Sequence, residues 1–254
     1  MTIKARTLLA GLAAAAALTL AGCHKKVDES ASTGTPTPAA SGPVAAAPAG
    51  GWVGQVAATP DGGYLMGNPD APVKLIEYGS RTCPHCGKFT EEGVPELKSK
   101  YIATGKVSYE FRDFAIHAPD IAAILLGQCN GPQTFFPILE QMMADQKNTL
   151  PKLEKLPDGF TQGLNGKTPA QQAAMWADQL GYLGFVGQRG VPEARGRACL
   201  ADQKAVDALI AHMNDGTKRY NITGTPTFVI NGSTAANVYD WQSLEPALKT
   251  AVGA

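Results

Sequence analysis

The chain has 254 residues, with 22 Lys and Arg against 22 Asp and Glu, a formal net charge of zero. That balance, with no basic stripe, argues against a nucleic-acid binder, which needs clustered excess Lys and Arg to neutralise phosphates. Hydrophobic residues at 44% suffice for a buried core, and five cysteines, an odd number, call for assignment.

Lys4 and Arg6 precede an uncharged stretch from Thr7 to Gly22. It is shorter than the ~20 residues a membrane-crossing helix needs, and the pattern predicts an export signal over 1–22. The signal ends Leu20-Ala21-Gly22-Cys23, which resembles the bacterial lipobox. Cys23 is therefore expected to be lipidated and to anchor the chain to a membrane; an ordinary cleaved signal is the alternative. His24 follows Cys23 where Asp usually marks retention at the inner membrane, which favours the outer membrane only weakly. From Ser30 to Gly51 every residue but Val44 is Ala, Gly, Pro, Ser or Thr. Residues 23–51 read as a flexible tether, and the folded domain as 52–254.

Trp52 to Met66 is expected to form a hairpin, and Val73 to Tyr78 a buried strand. Phe89, Val94 and Leu97 then mark one face of a helix with a kink at Pro95. Val107 to Phe111 reads as a second strand. Pro119 opens a helix through Ile121, Ile124, Leu125 and Gln128, and Leu156 to Lys167 reads as a loop. Thr168 and Pro169 start a helix carrying Ala173, Trp176, Ala177 and Leu180. Asp202 caps another, with Val206, Leu209, Ile210 and Met213 assigned to one face. Thr227 to Ile230 is a strand running into an Asn231-Gly232 hairpin turn. Asp240 caps a last helix bearing Leu244, Leu248 and Val252.

The chemistry centres on Cys83-Pro84-His85-Cys86, placed between a predicted strand and a predicted helix. At a helix N-terminus, unpaired N–H groups and the helix dipole favour an anionic sulfur. Pro84 suits the first turn, where its missing N–H loses no bond. The spacing brings both sulfurs to one face, close enough to bridge. Half a zinc site uses the same spacing, but no second CxxC or His pair completes four ligands. His117, Met142, Met143 and His212 are not assigned to a metal, since helical methionines ordinarily fill core gaps. No metal is expected.

Together, Cys83-Pro84-His85-Cys86 and the distant Thr225-Pro226 resemble the DsbA-like thiol–disulfide oxidoreductases of the thioredoxin superfamily. The likeness extends over the Glu77 to Cys83 lead-in, Arg112-Asp113-Phe114 with His117, and Cys199-Leu200. It implies an α/β thioredoxin fold with an inserted helical domain at about 115–215, and a cis-proline at Pro226 facing the CxxC. One departure is Thr225, where DsbA has Val and isomerases such as DsbC have Thr.

The resemblance implies that Cys83 is the attacking thiol and that Cys83 and Cys86 form the redox-active disulfide. His85 stabilises the Cys83 thiolate on this reading, or is an incidental turn residue. Glu77 matches the family's buried acid and shares strand phase with Val73 and Leu75. It either shuttles protons to Cys86 or is a solvated strand residue. Thr225 and Pro226 shape the substrate groove, the Thr225 backbone pairing with a bound chain as an added strand. Cys129 and Cys199 lie in the inserted region, and some DsbA-like proteins carry a second bridge. A structural disulfide is expected, with free core thiols the alternative; closing about 70 residues would stabilise by roughly 4 kcal/mol.

The function implied is introduction of disulfides into reduced exported polypeptides in the periplasm, with isomerase or reductant as the alternative. No cofactor and no nucleic acid are expected, the chain is expected to be a monomer, and a DsbB-like membrane protein would reoxidise it.

Overall fold

Apolar alternation and local caps place most of the elements, which occur in the following order in a computed structural model describing residues 44–253. The export signal, Cys23 and the tether up to residue 43 lie outside the described residues. A hairpin of β1 (Val56–Ala58) and β2 (Tyr64–Gly67) leads into β3 (Val73–Gly79), then α1 (Pro84–Glu92), α2 (Val94–Lys100) and β4 (Val107–Asp113). Eight helices follow: α3 (Asp120–Gln128), α4 (Pro132–Ala144), α5 (Gln146–Leu153), α6 (Phe160–Gly163), α7 (Pro169–Leu180), α8 (Tyr182–Gly187), α9 (Glu193–Leu200) and α10 (Gln203–Tyr220). The chain returns through β5 (Thr227–Ile230) and β6 (Ser233–Thr234) and closes on α11 (Trp241–Val252).

The sheet runs β1-β2-β4-β3-β5-β6. β3 and β4 are parallel, from Val73 opposite Val107 to Gly79 opposite Asp113, and every other pairing is antiparallel. The parallel pair is covered on both faces, so its residues are almost all buried. The Asn231-Gly232 corner between β5 and β6 has φ of 50° and 82°, the left-handed region that this dipeptide enters at little cost.

Among the described residues two large apolar cores result, beside a smaller cluster of Ile76, Tyr78, Tyr220, Ile222 and Val229. One is built on the sheet by Leu75, Phe89, Leu97, Phe111, Phe228 and Leu248. The other is helical, with Leu126, Trp176, Leu180, Val186 and Leu200. Helix α4 belongs to both, sending Phe135, Phe136, Leu139 and Met143 to the first and Ile138 and Met142 to the second. It thereby ties the inserted helices to the sheet.

Three expectations are corrected. The helix after the motif does not kink at Pro95; it stops, and α2 restarts with Pro95 in its first turn. Proline lacks the N–H and clashes with the preceding turn, so the break falls at Gly93. Leu156 to Lys167 contains the short helix α6. On α10 the buried positions are Val206, Leu209, Gly216 and Tyr220, while Ile210 is 38% exposed. The ring of Tyr78 sets that face: a Cβ at Gly216 would stand 2.6 Å from it.

Candidate active site

β3 delivers the chain to the site through Gly79, where a Cβ would meet the Phe111 ring at 2.5 Å. The turn Ser80–Thr82 that follows is buried and held from three sides. Asp120 Oδ1 accepts from the Thr82 N–H at 3.0 Å, and its Oδ2 accepts from the Ser80 hydroxyl and the Ile116 and His117 N–H groups. Burial pushes this carboxyl above its ordinary value, while those donors pull it back. Thr82 Oγ1 and His117 Nδ1 share a hydrogen bond of 2.8 Å. Arg81 grips Asp113 with two N–H groups at 2.7 and 3.0 Å, and Gln128 donates to the same carboxylate. From the inserted helices, Gln146 Nε2 donates to the carbonyls of Arg81 at 3.1 Å and Cys83 at 3.0 Å.

The turn ends with Cys83 as the N-cap of α1 and Pro84 in its first turn. Both Cys83 and Cys86 are free thiols. Cys83 lies just under the surface, 3% exposed beside the exposed Pro84 and His85, whereas Cys86 is enclosed. The Thr225–Pro226 peptide is cis, and the Cys83 thiol donates to the Thr225 carbonyl at 3.2 Å. The proton affinity of Cys83 is lowered to about 5. The Cys86 thiol contributes most; burial opposes it, and the Thr225 hydroxyl and the backbone N–H groups of Cys86 and His85 add to the lowering. In the thiol form the Thr225 hydroxyl is buried without a partner, so its proton is free to turn to the sulfur once Cys83 ionises. Cys86 is pushed the other way, well above an ordinary thiol, first by burial and then by its bond to Cys83 and the charge of Glu77. Two sulfurs three residues apart thus differ sharply in acidity.

Beneath them Glu77 is wholly buried. Tyr109 donates its hydroxyl to Glu77 Oε2 at 2.6 Å, and Oε1 has no partner. Burial raises the carboxyl to about 8, against the Tyr109 hydrogen bond.

The thioredoxin family model matches residues 59–250. The chain belongs to the thioredoxin family. A Rickettsia bellii relative named as a protein-disulfide oxidoreductase is 31% identical over 188 residues, 74% of this chain and 64% of that protein. A Rickettsia felis protein of the same name is 30% identical, with 59% of its length covered. The chain thus spans less than two thirds of these curated relatives. Among solved structures, a protein-disulfide isomerase from Novosphingobium aromaticivorans aligns with a TM-score of 0.73 and 30% identity, over 76% of this chain and 99% of that one. Wolbachia pipientis alpha-DsbA1 shares the fold, with a TM-score of 0.60 at 22% identity, over 74% of this chain and 90% of that one.

Within this thioredoxin fold with its helical insertion, Pro84, Cys83, Cys86, Thr225 and Pro226 meet at one end of the sheet, with Glu77 below. His85 contributes its backbone N–H to the Cys83 sulfur, and the residue itself is exposed. Cys129 and Cys199 are bridged, joining the end of α3 to α9 beside the second core. Met142 and Met143 are buried, their sulfurs accepting from Arg81 and Gln146. The sequence reading missed Arg81, Tyr109, Asp120 and Gln146 as parts of the site. Tyr109 carried a signal, since it shares strand phase with the apolar Val107 and Phe111. Gln146 carried none, because an amide in a polar segment looks like any surface residue.

Proposed function

We propose that the chain is a thiol–disulfide oxidoreductase that passes the Cys83–Cys86 disulfide to reduced exported polypeptides. The observation carrying this reading is the acidity split: a shallow Cys83 at about 5 under the Thr225 carbonyl, beside an enclosed Cys86 held well above its ordinary value. A stabilised Cys83 thiolate favours the reduced form, which makes the disulfide a stronger oxidant. A substrate thiolate attacks Cys83 Sγ, the bond to Cys86 breaks, and Cys86 leaves with the electron pair and takes a proton. The second substrate thiolate then attacks the substrate sulfur of the mixed disulfide and expels Cys83 as a thiolate. The substrate dithiol loses two electrons and the enzyme gains them. The cis Thr225–Pro226 segment beside Cys83 supports pairing of the Thr225 backbone with an extended chain.

The lipobox-like Leu20-Ala21-Gly22-Cys23 and the tether up to Gly51 support a periplasmic protein held to a membrane through Cys23. Turnover then requires a membrane reoxidase of the DsbB kind, since two electrons must leave the enzyme in each cycle. A second reading, disulfide isomerase, is favoured by the name of the Novosphingobium neighbour. Equilibration with glutathione buffers separates the main possibilities. A potential near ~−120 mV supports the oxidase, and one near ~−270 mV would make the chain a reductant. Recovery of activity from a scrambled substrate, without added oxidant, would favour the isomerase.

A further inference from the structure

The Glu77 carboxyl is asymmetric: Oε2 accepts from Tyr109 at 2.6 Å, and Oε1 is buried with no partner. Tyr109 is itself wholly enclosed and stays protonated, because burial and the neighbouring Glu77 push its hydroxyl well above an ordinary phenol. A permanent donor on Oε2 makes that atom the acceptor oxygen of a protonated carboxyl, which leaves the proton on Oε1. Oε1 lies at Gly79, where a Cβ would come within 3.0 Å of it. The Phe111 ring takes the rest of that space, so no polar group there competes for a proton on Oε1.

We propose that Tyr109 is a positioning residue that confines the Glu77 proton to Oε1, the oxygen left free to exchange it with Cys86. The proposal rests on the dithiol-exchange reading of the site. When a substrate thiolate bonds to Cys83 Sγ and the Cys83–Cys86 bond breaks, Cys86 leaves as a thiolate. Oε1 gives it the proton, Glu77 is left as a carboxylate, and water restores the proton afterwards. The titratable groups around Glu77 are Cys83 and Cys86 at the start of α1 and Tyr109 on β4. β5 places the uncharged Phe228 opposite it, and Glu140 on α4 acts on Tyr109.

Tyr109→Phe in the full chain tests this, since it keeps the ring that packs on Phe136 at 5.7 Å between centroids. The oxidised protein is mixed with excess reduced peptide, and the single-turnover rate is corrected for the peptide's thiolate fraction. In the unsubstituted protein that rate is expected to fall as pH rises through about 8. The Tyr109 bond favours the ionised carboxyl, so in Tyr109→Phe the fall moves up by about one pH unit. Glu77→Gln abolishes the fall. Carbon-13 titration of the Glu77 carboxyl in reduced protein reads the same upward shift without turnover. A misfolded variant would instead titrate near the ordinary ~4.3, so the second measurement keeps the test decisive. Coincident titrations of Tyr109→Phe and the unsubstituted protein would overturn the proposal. A chain that exchanges no disulfides would overturn the functional reading, while the carboxyl titration would still report on Tyr109.

Discussion

Cys83 and Cys86 carry the same thiol three positions apart, and what separates them is depth and the first turn of α1. Cys83 is acidified most by the Cys86 thiol, then by the hydroxyl of Thr225 and the N–H groups of Cys86 and His85, while Cys86 is enclosed above a buried carboxyl. An ultraviolet titration of reduced protein is therefore expected to show one thiolate appearing near 5, with Cys86 silent up to the ordinary thiol range. The linkage to stability has a definite sign. The folded Cys83 value lies below that of an unfolded thiol, ~8.5, so its ionisation stabilises the reduced fold fully above that value. The contribution is lost as pH falls through about 5. Urea unfolding at neutral and acid pH checks this: the reduced form should lose stability relative to the oxidised form on acidification, and parallel losses in the two forms would contradict it.

At the scale of elements, the turn between β3 and α1 is the part most heavily braced, and Arg81 is its anchor. Its ion pair with Asp113 is buried, with 0% and 1% of the two side chains exposed. The guanidinium also lies 5.2 Å from the Phe135 ring centroid of α4. Removing one partner strands a charge, so Arg81→Met is expected to destabilise by about 3–5 kcal/mol. Replacing both, Arg81→Met with Asp113→Leu, should recover much of that loss in urea denaturation. If the double variant is no more stable than the single one, the stranded charge is not the cause.

Elements were legible in the sequence where their signals are local. Thr168 and Asp240 each form a reciprocal capping box, and Asp202 accepts from the N–H groups of Lys204 and Ala205. Helix α4 was not legible although Phe135, Phe136, Leu139 and Met143 recur at helical spacing. Pro137 sits in its interior, where proline ordinarily ends a helix. Ile210 was misplaced because the α10 repeat tolerates two faces; Tyr78, on a distant strand, decides which one is buried.

Across the whole molecule, the sheet and the inserted helices hold separate cores joined by α4 and by the braced turn. The Cys129–Cys199 bridge joins α3 to α9 across a separation of 70 residues, beside the helical core. Replacing both cysteines by serine is expected to lower stability by about 2–4 kcal/mol. The Cys83 titration should remain near 5, because neither bridge sulfur is among the groups that act on it. A shifted Cys83 midpoint in that variant would show that the helical core reaches the thiol after all.

Local signals along the chain place a Cys-Pro-His-Cys motif at a strand-to-helix turn, three capped helices and an Asn-Gly corner. These are legible because caps, turns and helix N-termini involve neighbours only a few residues away. Long-range packing alone brings the Thr225 carbonyl to Cys83 across 142 residues, Tyr109 to Glu77, and Gln146 to the Cys83 carbonyl. Each depends on which strands adjoin and which helix crosses the turn. Burial, and with it the acidity of Cys83, Cys86 and Glu77, is a property of that assembly and of no segment taken alone.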